Sequence, residues 1–112
     1  FAPILKKEDG RIDWSNSAIL IERCVRGFQP WPNVYTNWNS KGLIIWRAQA
    51  VESPNPNATP GEVIVARADD LIVSCGEQTA LRLIEMQPES RQKFIARDFI
   101  NGMRLKVGDR FG

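Results

Sequence analysis

The 112 residues carry 15 Lys and Arg against 13 Asp and Glu, a net charge of +2, with 43% hydrophobic and 25% charged residues. That is the composition of one soluble globular domain able to bury its own core, and no apolar run approaches the ~20 residues of a membrane helix. Histidine is absent and the two cysteines form no Cys-x-x-Cys pair, which removes Ser-His-Asp and Cys-His nucleophile systems and finger-type zinc sites.

The chain opens at Phe1 with no basic-then-apolar leader, so it is expected to be a piece of a larger cytoplasmic polypeptide. Residues 1–13 hold Pro3, Gly10 and six charges without helical or strand period, and are expected to form an extended interdomain linker ahead of a domain over 14–112. Ser15 is expected to cap a helix, with Asp13 near the positive end of its dipole. The helix runs to about Arg26, stops at Gly27, and places Ala18, Ile21, Cys24, Val25 and Phe28 on one buried stripe. Ile19 and Leu20 fall off that stripe, either as half-exposed surface or as a face that packs on another domain.

Phe28, Pro30, Trp31 and Pro32 form a stiff turn, because each proline fixes its own φ and restricts the residue before it. The period then changes to two, giving strands near 34–38 and at 43–51, 62–67, 71–74 and 80–86. Ser53 to Gly61 is a proline-dense loop, while Asp69-Asp70 and Gly76 to Thr79 read as tight hairpin connections. A short helix over about Ala96 to Asn101, ended by Gly102, would cap the strands with Phe99, Ile100 and Met103. The expected fold is therefore mainly β: a small five- to six-stranded Greek-key, OB-like barrel with an N-terminal helix and a short C-terminal helix.

Four tryptophans invite a base-stacking role, but core packing is expected for at least three. Trp14 and Trp31 flank the helix, and Trp46 shares one side of a strand with Ile44, Ala48 and Ala50. Cys24 and Cys75 are expected to be free thiols rather than a disulfide. The acidic residues lie mostly in turns beside basic neighbours, and no cluster forms a catalytic geometry.

The basic residues gather at the ends. Lys6, Lys7 and Arg11 open the chain, and Arg91, Lys93, Arg97, Arg104, Lys106 and Arg110 crowd its last segment against Asp98 and Asp109. If the ends meet in the fold, one face carries a positive field suited to a polyanion. For Arg11, pairing with Asp13 is an equally simple account, and Arg47 and Arg82 on strands could pair across the sheet with Glu85 or a neighbour.

One block, Lys6 to Pro32, joins the basic segment, the helix and the aromatic turn. Its Arg11, Ile12, Asp13, Trp14, Ser15, Ser17, Ala18, Arg26, Gly27, Phe28, Pro30, Trp31 and Pro32 resemble the start of the C-terminal domain of methionyl-tRNA formyltransferases. Gly42, Trp46, Ala48, Pro60, Gly61, Cys75, Gly76, Leu81, Leu83, Gln87, Pro88, Asp98, Phe99, Gly102 and Arg104 extend the resemblance over almost the whole chain. It implies a tRNA-holding barrel, with initiator tRNA and an N-terminal formyltransferase domain of the same polypeptide as partners and no membrane. It implies also that 10-formyltetrahydrofolate and the catalytic Asn, His and Asp belong to that other domain, leaving no catalytic residue, metal or cofactor in this one. On this reading Lys6, Lys7, Arg11, Arg91, Lys93, Arg97 and Arg104 clamp tRNA phosphates. The alternative is an accessory barrel of another formyltransferase-family enzyme, one that packs on the catalytic domain without touching RNA.

Overall fold

The chain is described over residues 7–112 of a computed structural model; Lys6 lies outside the described residues. The elements are a 3-10 turn (Lys7–Gly10), α1 (Ala18–Gly27), β1 (Val34–Trp38), β2 (Lys41–Glu52), β3 (Val63–Arg67), β4 (Asp70–Ser74), β5 (Thr79–Pro88), β6 (Phe94–Ile95) and α2 (Ala96–Met103). The six strands form one antiparallel sheet in the order β1-β2-β5-β4-β3, with β6 added beside the second half of β5. Strands β3, β4 and β5 follow one another as hairpins, and β2 lies beside β5 across the 53–61 loop, which is Greek-key connectivity.

β1 and β3 are left as the two edges, and the last residues fill the gap between them. Arg110 bridges Glu62, the Phe111 N–H donates to Gly61 O at 2.9 Å, and the Gly112 N–H donates to Asn37 O at 3.0 Å. The arrangement is barrel-like, closed along this seam by a strap rather than by strand pairing.

The interior follows from alternation along the strands. Leu43, Ile45, Val63, Leu71, Val73, Leu81, Leu83 and Met86 are fully buried together with Phe99 of α2. Trp38 and Phe111 pack with their rings tilted by 47°, 5.2 Å between centroids, and Trp14 lies 6.1 Å from Phe111. These rings form an aromatic plug, in which the buried Trp14 Nε1 donates to Thr36 Oγ1 at 3.0 Å while Trp38 Nε1 is buried without a hydrogen-bond partner among the described residues.

Helix α1 buries Ala18, Ile21 and Val25 as its spacing predicts, with Cys24 and Phe28 half-buried against the core. Its cap is Ser17 and not Ser15: the Leu20 N–H donates to Ser17 Oγ, and the Ala18 N–H donates to Thr79 Oγ1 at 2.9 Å. Ser15 instead serves the turn before the helix. Its backbone N–H (3.0 Å) and hydroxyl both donate to Asp13 Oδ1, and those bonds hold the Asp13 carboxyl below its usual value. Cys24 and Cys75 are free, and burial pushes the Cys75 thiol up to about 12.

Three further details depart from the sequence reading. Helix α2 runs through Gly102 to Met103, and the αL residue that ends it is Arg104 (φ 52). Residues 7–13 lie against the barrel: Arg11 bridges Tyr35, and the Ile12 N–H donates to Tyr35 O at 2.8 Å while its side chain packs on the core. Strand β2 carries a bulge around Arg47, which reverses its parity. The buried side is Leu43 and Ile45 before the bulge and Ala48 and Ala50 after it, so Ile44 and Trp46 face outward.

Candidate nucleic-acid interface

The outer face of β1, β2 and β5 gathers basic residues from both parts of the chain, Lys7 and Arg11 from its start and Lys93 from its last segment. Tyr35, Ile44 and Gln87 are cross-strand partners in one row. Arg11 flanks that row at Tyr35; with Ile12 turned to the core, the exposed Arg11 side chain points outward. Lys7, Pro32, Tyr35, Asn37, Ile44 and Gln87 line a groove of about 530 Å³ along the face.

Trp46 knots the far side of this groove. Its Nε1 donates to Gln87 Oε1 at 2.9 Å, Gln87 Nε2 donates to Arg91 O at 2.8 Å, and Gln29 Nε2 donates to Trp46 O at 2.7 Å. Lys93 Nζ sits 4.1 Å from the centre of the indole ring. A cation over a half-buried indole gains on the order of 1 kcal/mol, enough to hold the ammonium on this face. Through Trp46 the knot ties β2 to the 28–33 loop and to the end of β5 with the loop that follows it.

A second, smaller cleft adjoins the groove and shares Gly42, Leu43, Pro88 and Glu89 with it. It is lined by Arg91, Lys41 and Met103, and Arg104 follows directly at the end of α2. Lys7, Arg11, Lys93, Arg91 and Arg104 are all exposed and make no ion pair among the described residues. The acidic Glu89 lines both clefts, so the field is not of one sign throughout.

Arg97 stands apart. It forks onto Asp69 in the β3–β4 turn, Nε to Oδ1 at 2.9 Å and NH2 to Oδ2 at 3.1 Å, with both side chains more than half exposed. Arg82 is held by Asp70 at 3.3 Å, and Arg47 is the register partner of Glu85. The pairing of Arg11 with Asp13 does not form, since Asp13 is taken up by Ser15.

The tryptophan expectation needs correcting: Trp14 and Trp38 belong to the core cluster, whereas Trp31 is 56% exposed and Trp46 lies on the outer face. Trp31 stands in the loop between Gln29, bonded to the Trp46 carbonyl, and the buried Pro32. Tyr35 and Lys41, which line the two clefts, carry no signal of their own in the sequence. The hydrophobic alternation of β2 hid Trp46, because a bulge leaves no mark in a run of Ile, Trp and Ala.

The comparisons with known proteins agree with this architecture. The family described as the formyl transferase C-terminal domain matches residues 4–104. The chain belongs to that family. Similar proteins include the methionyl-tRNA formyltransferases of Koribacter versatilis and Solibacter usitatus, each 45% identical over 99% of this chain, and that of Bacillus subtilis, 35% identical over all of it. The chain spans only about a third (34–35%) of the length of these relatives. Among solved structures, HypX from Aquifex aeolicus superposes with a TM-score of 0.71 over 96% of this chain and 19% of its own, at 18% identity. That likeness concerns the fold. The formyl transferase C-terminal fold is thus present with its two helices and its Greek-key sheet, and among the described residues no helix is long and apolar enough to cross a membrane.

Proposed function

We propose that this domain is the tRNA-holding part of a methionyl-tRNA formyltransferase, itself non-catalytic, acting in the cytoplasm at translation initiation. The observation that carries the reading is a set of exposed basic residues, Lys7, Arg11, Arg91 and Lys93, that make no ion pair among the described residues and lie about the two adjoining clefts, with Arg104 next in sequence to Met103 of the second. Such a surface suits phosphates, which position an RNA without reading its sequence. The formyl donor, 10-formyltetrahydrofolate, and the transfer of its formyl group to the amino group of the methionyl tRNA belong to a preceding domain. Here the barrel holds the tRNA body while the aminoacyl end reaches that domain, and tethering raises the effective concentration of one site for the other.

The test is binding of initiator and elongator tRNA across a salt series. With about four phosphate contacts, affinity should fall roughly 100-fold between 50 and 200 mM salt, with little preference between the tRNAs. The triple variant Lys7→Glu, Arg11→Glu, Lys93→Glu should flatten the salt slope by about three, one for each lost contact. Absence of binding by the unaltered domain at low salt would sink this reading. A smaller experiment decides the part of Arg97. Asp69→Asn should change stability by less than about 1 kcal/mol, both partners being exposed, and should raise affinity roughly twofold by releasing one cation; unchanged affinity removes Arg97 from the contact set.

The second reading, a barrel that packs on a catalytic domain without RNA, draws on Ile19 and Leu20. They are 53% and 46% exposed, and Leu20 shares a cleft with residues Asp9 to Asp13.

A further inference from the structure

The phosphate clamp leaves the most exposed indole of the domain without a task. Trp31 is 56% exposed, and the loop on either side of it is anchored: the Gln29 side-chain amide donates to the carbonyls of Val25 and Trp46, and Pro32 is buried and lines the groove. The Asn33 N–H then donates to Phe28 O at 2.8 Å and closes the loop on itself. An indole exposed to water on a loop held at both ends loses little further freedom on binding, which is the condition for a stacking platform. The groove that begins at the next residue, Pro32, supplies the rest: Lys7 for phosphates, Tyr35, Asn37 and Gln87 as polar or aromatic edges, and Lys93 over Trp46 at its far side.

We propose that Trp31 stacks on an unpaired nucleobase of the bound RNA, so that the groove takes a single-stranded nucleotide segment beside the phosphate clamp. The inference rests on the RNA-binding reading and adds a contact to bases. Nucleobase faces are alike enough for the contact to tolerate any sequence, so it selects unpaired over paired RNA. Trp46 is not a second platform, because Lys93 covers its ring.

The experiment compares an octamer of riboadenylate with an abasic octamer of equal length and charge, at one low salt concentration. The unaltered domain should bind the adenylate octamer about tenfold more tightly. Trp31→Ala should abolish that preference while leaving affinity for the abasic octamer within twofold, and Trp31→Phe should retain most of it. Equal affinity of the unaltered domain for both octamers, or an equal loss on both with Trp31→Ala, overturns the stacking role while the phosphate clamp stands. Failure to bind either octamer or tRNA overturns the clamp and the stacking role together.

Discussion

Gly76→Ala should lower the stability of the domain by about 3 kcal/mol, read as a fall in the melting midpoint of about 12 °C. A Cβ placed on Gly76 would stand 1.6 Å from the Ser15 carbonyl oxygen and 2.4 Å from its carbon. Both obstacles are backbone, so no side-chain rotation relieves the clash. The close approach exists because the Gly76 N–H donates to Trp14 O and Asn16 O, both at 2.9 Å, fastening the lead into α1 to the β4–β5 hairpin. Relief therefore breaks those two bonds and shifts Trp14 in the aromatic plug. Chemical denaturation measures the loss, and a change under 1 kcal/mol would mean that the joint is far more compliant than its geometry indicates.

Phe99→Ala should cost more, about 4 kcal/mol, because it removes a fully buried ring and leaves a cavity among rigid neighbours. Phe99 stands 6.3 Å from Trp38 and 6.5 Å from Phe94, centroid to centroid, and so couples α2 to β1 and to β6 at once. Against an ordinary total of about 5–15 kcal/mol, such a loss leaves a measurable unfolded fraction. Phe99→Leu, which retains most of the volume, should cost less than half as much. Parallel denaturation curves of the two variants provide the check, and equal losses would show that the ring shape and not the filled volume is what the site requires.

The sequence made the outline of this fold readable wherever one face of an element is buried. The stripe Ala18, Ile21, Val25 marks α1, and alternation places β1, β3, β4 and β5 to within a few residues, since burial on one side imposes the period. Local details fared worse where two residues offer the same chemistry. Ser15 and Ser17 are equally good caps, and only the Thr79 hydroxyl, 61 residues on, decides that Ala18 begins the helix. β6 is two residues long, too short for any period, and the bulge at Arg47 reverses β2 without an unusual residue to announce it.

The candidate interface divides the same way. Clustering of Lys and Arg at the two ends of the chain is a property of composition and order, hence visible. That Lys7 and Lys93 share a face depends on β1, β2 and β5 being neighbours, and that Arg97 is taken up by Asp69 depends on a contact 28 residues apart. The exposure of Trp31 was misjudged for a related reason. Aromatic residues beside a helix usually bury it, but here Phe28 packs on the core and Pro32 is buried, while Trp31 between them is turned to water.

The strap that joins β1 to β3 bears on the order in which this protein can be made. Gly112 bonds to Asn37 and Arg110 bridges Glu62, so the seam links the earliest strand to the last residues of the chain. During synthesis, β1 to β5 can pair as they emerge and residues 11–12 cover β1 at Tyr35, yet β1 at Asn37 and the β3 edge at Glu62 stay open until residues 108–112 leave the ribosome. An unsealed sheet edge offers backbone donors and acceptors to any neighbouring chain. The domain is therefore most exposed to mispairing in the interval between the emergence of β5 and the seating of the strap.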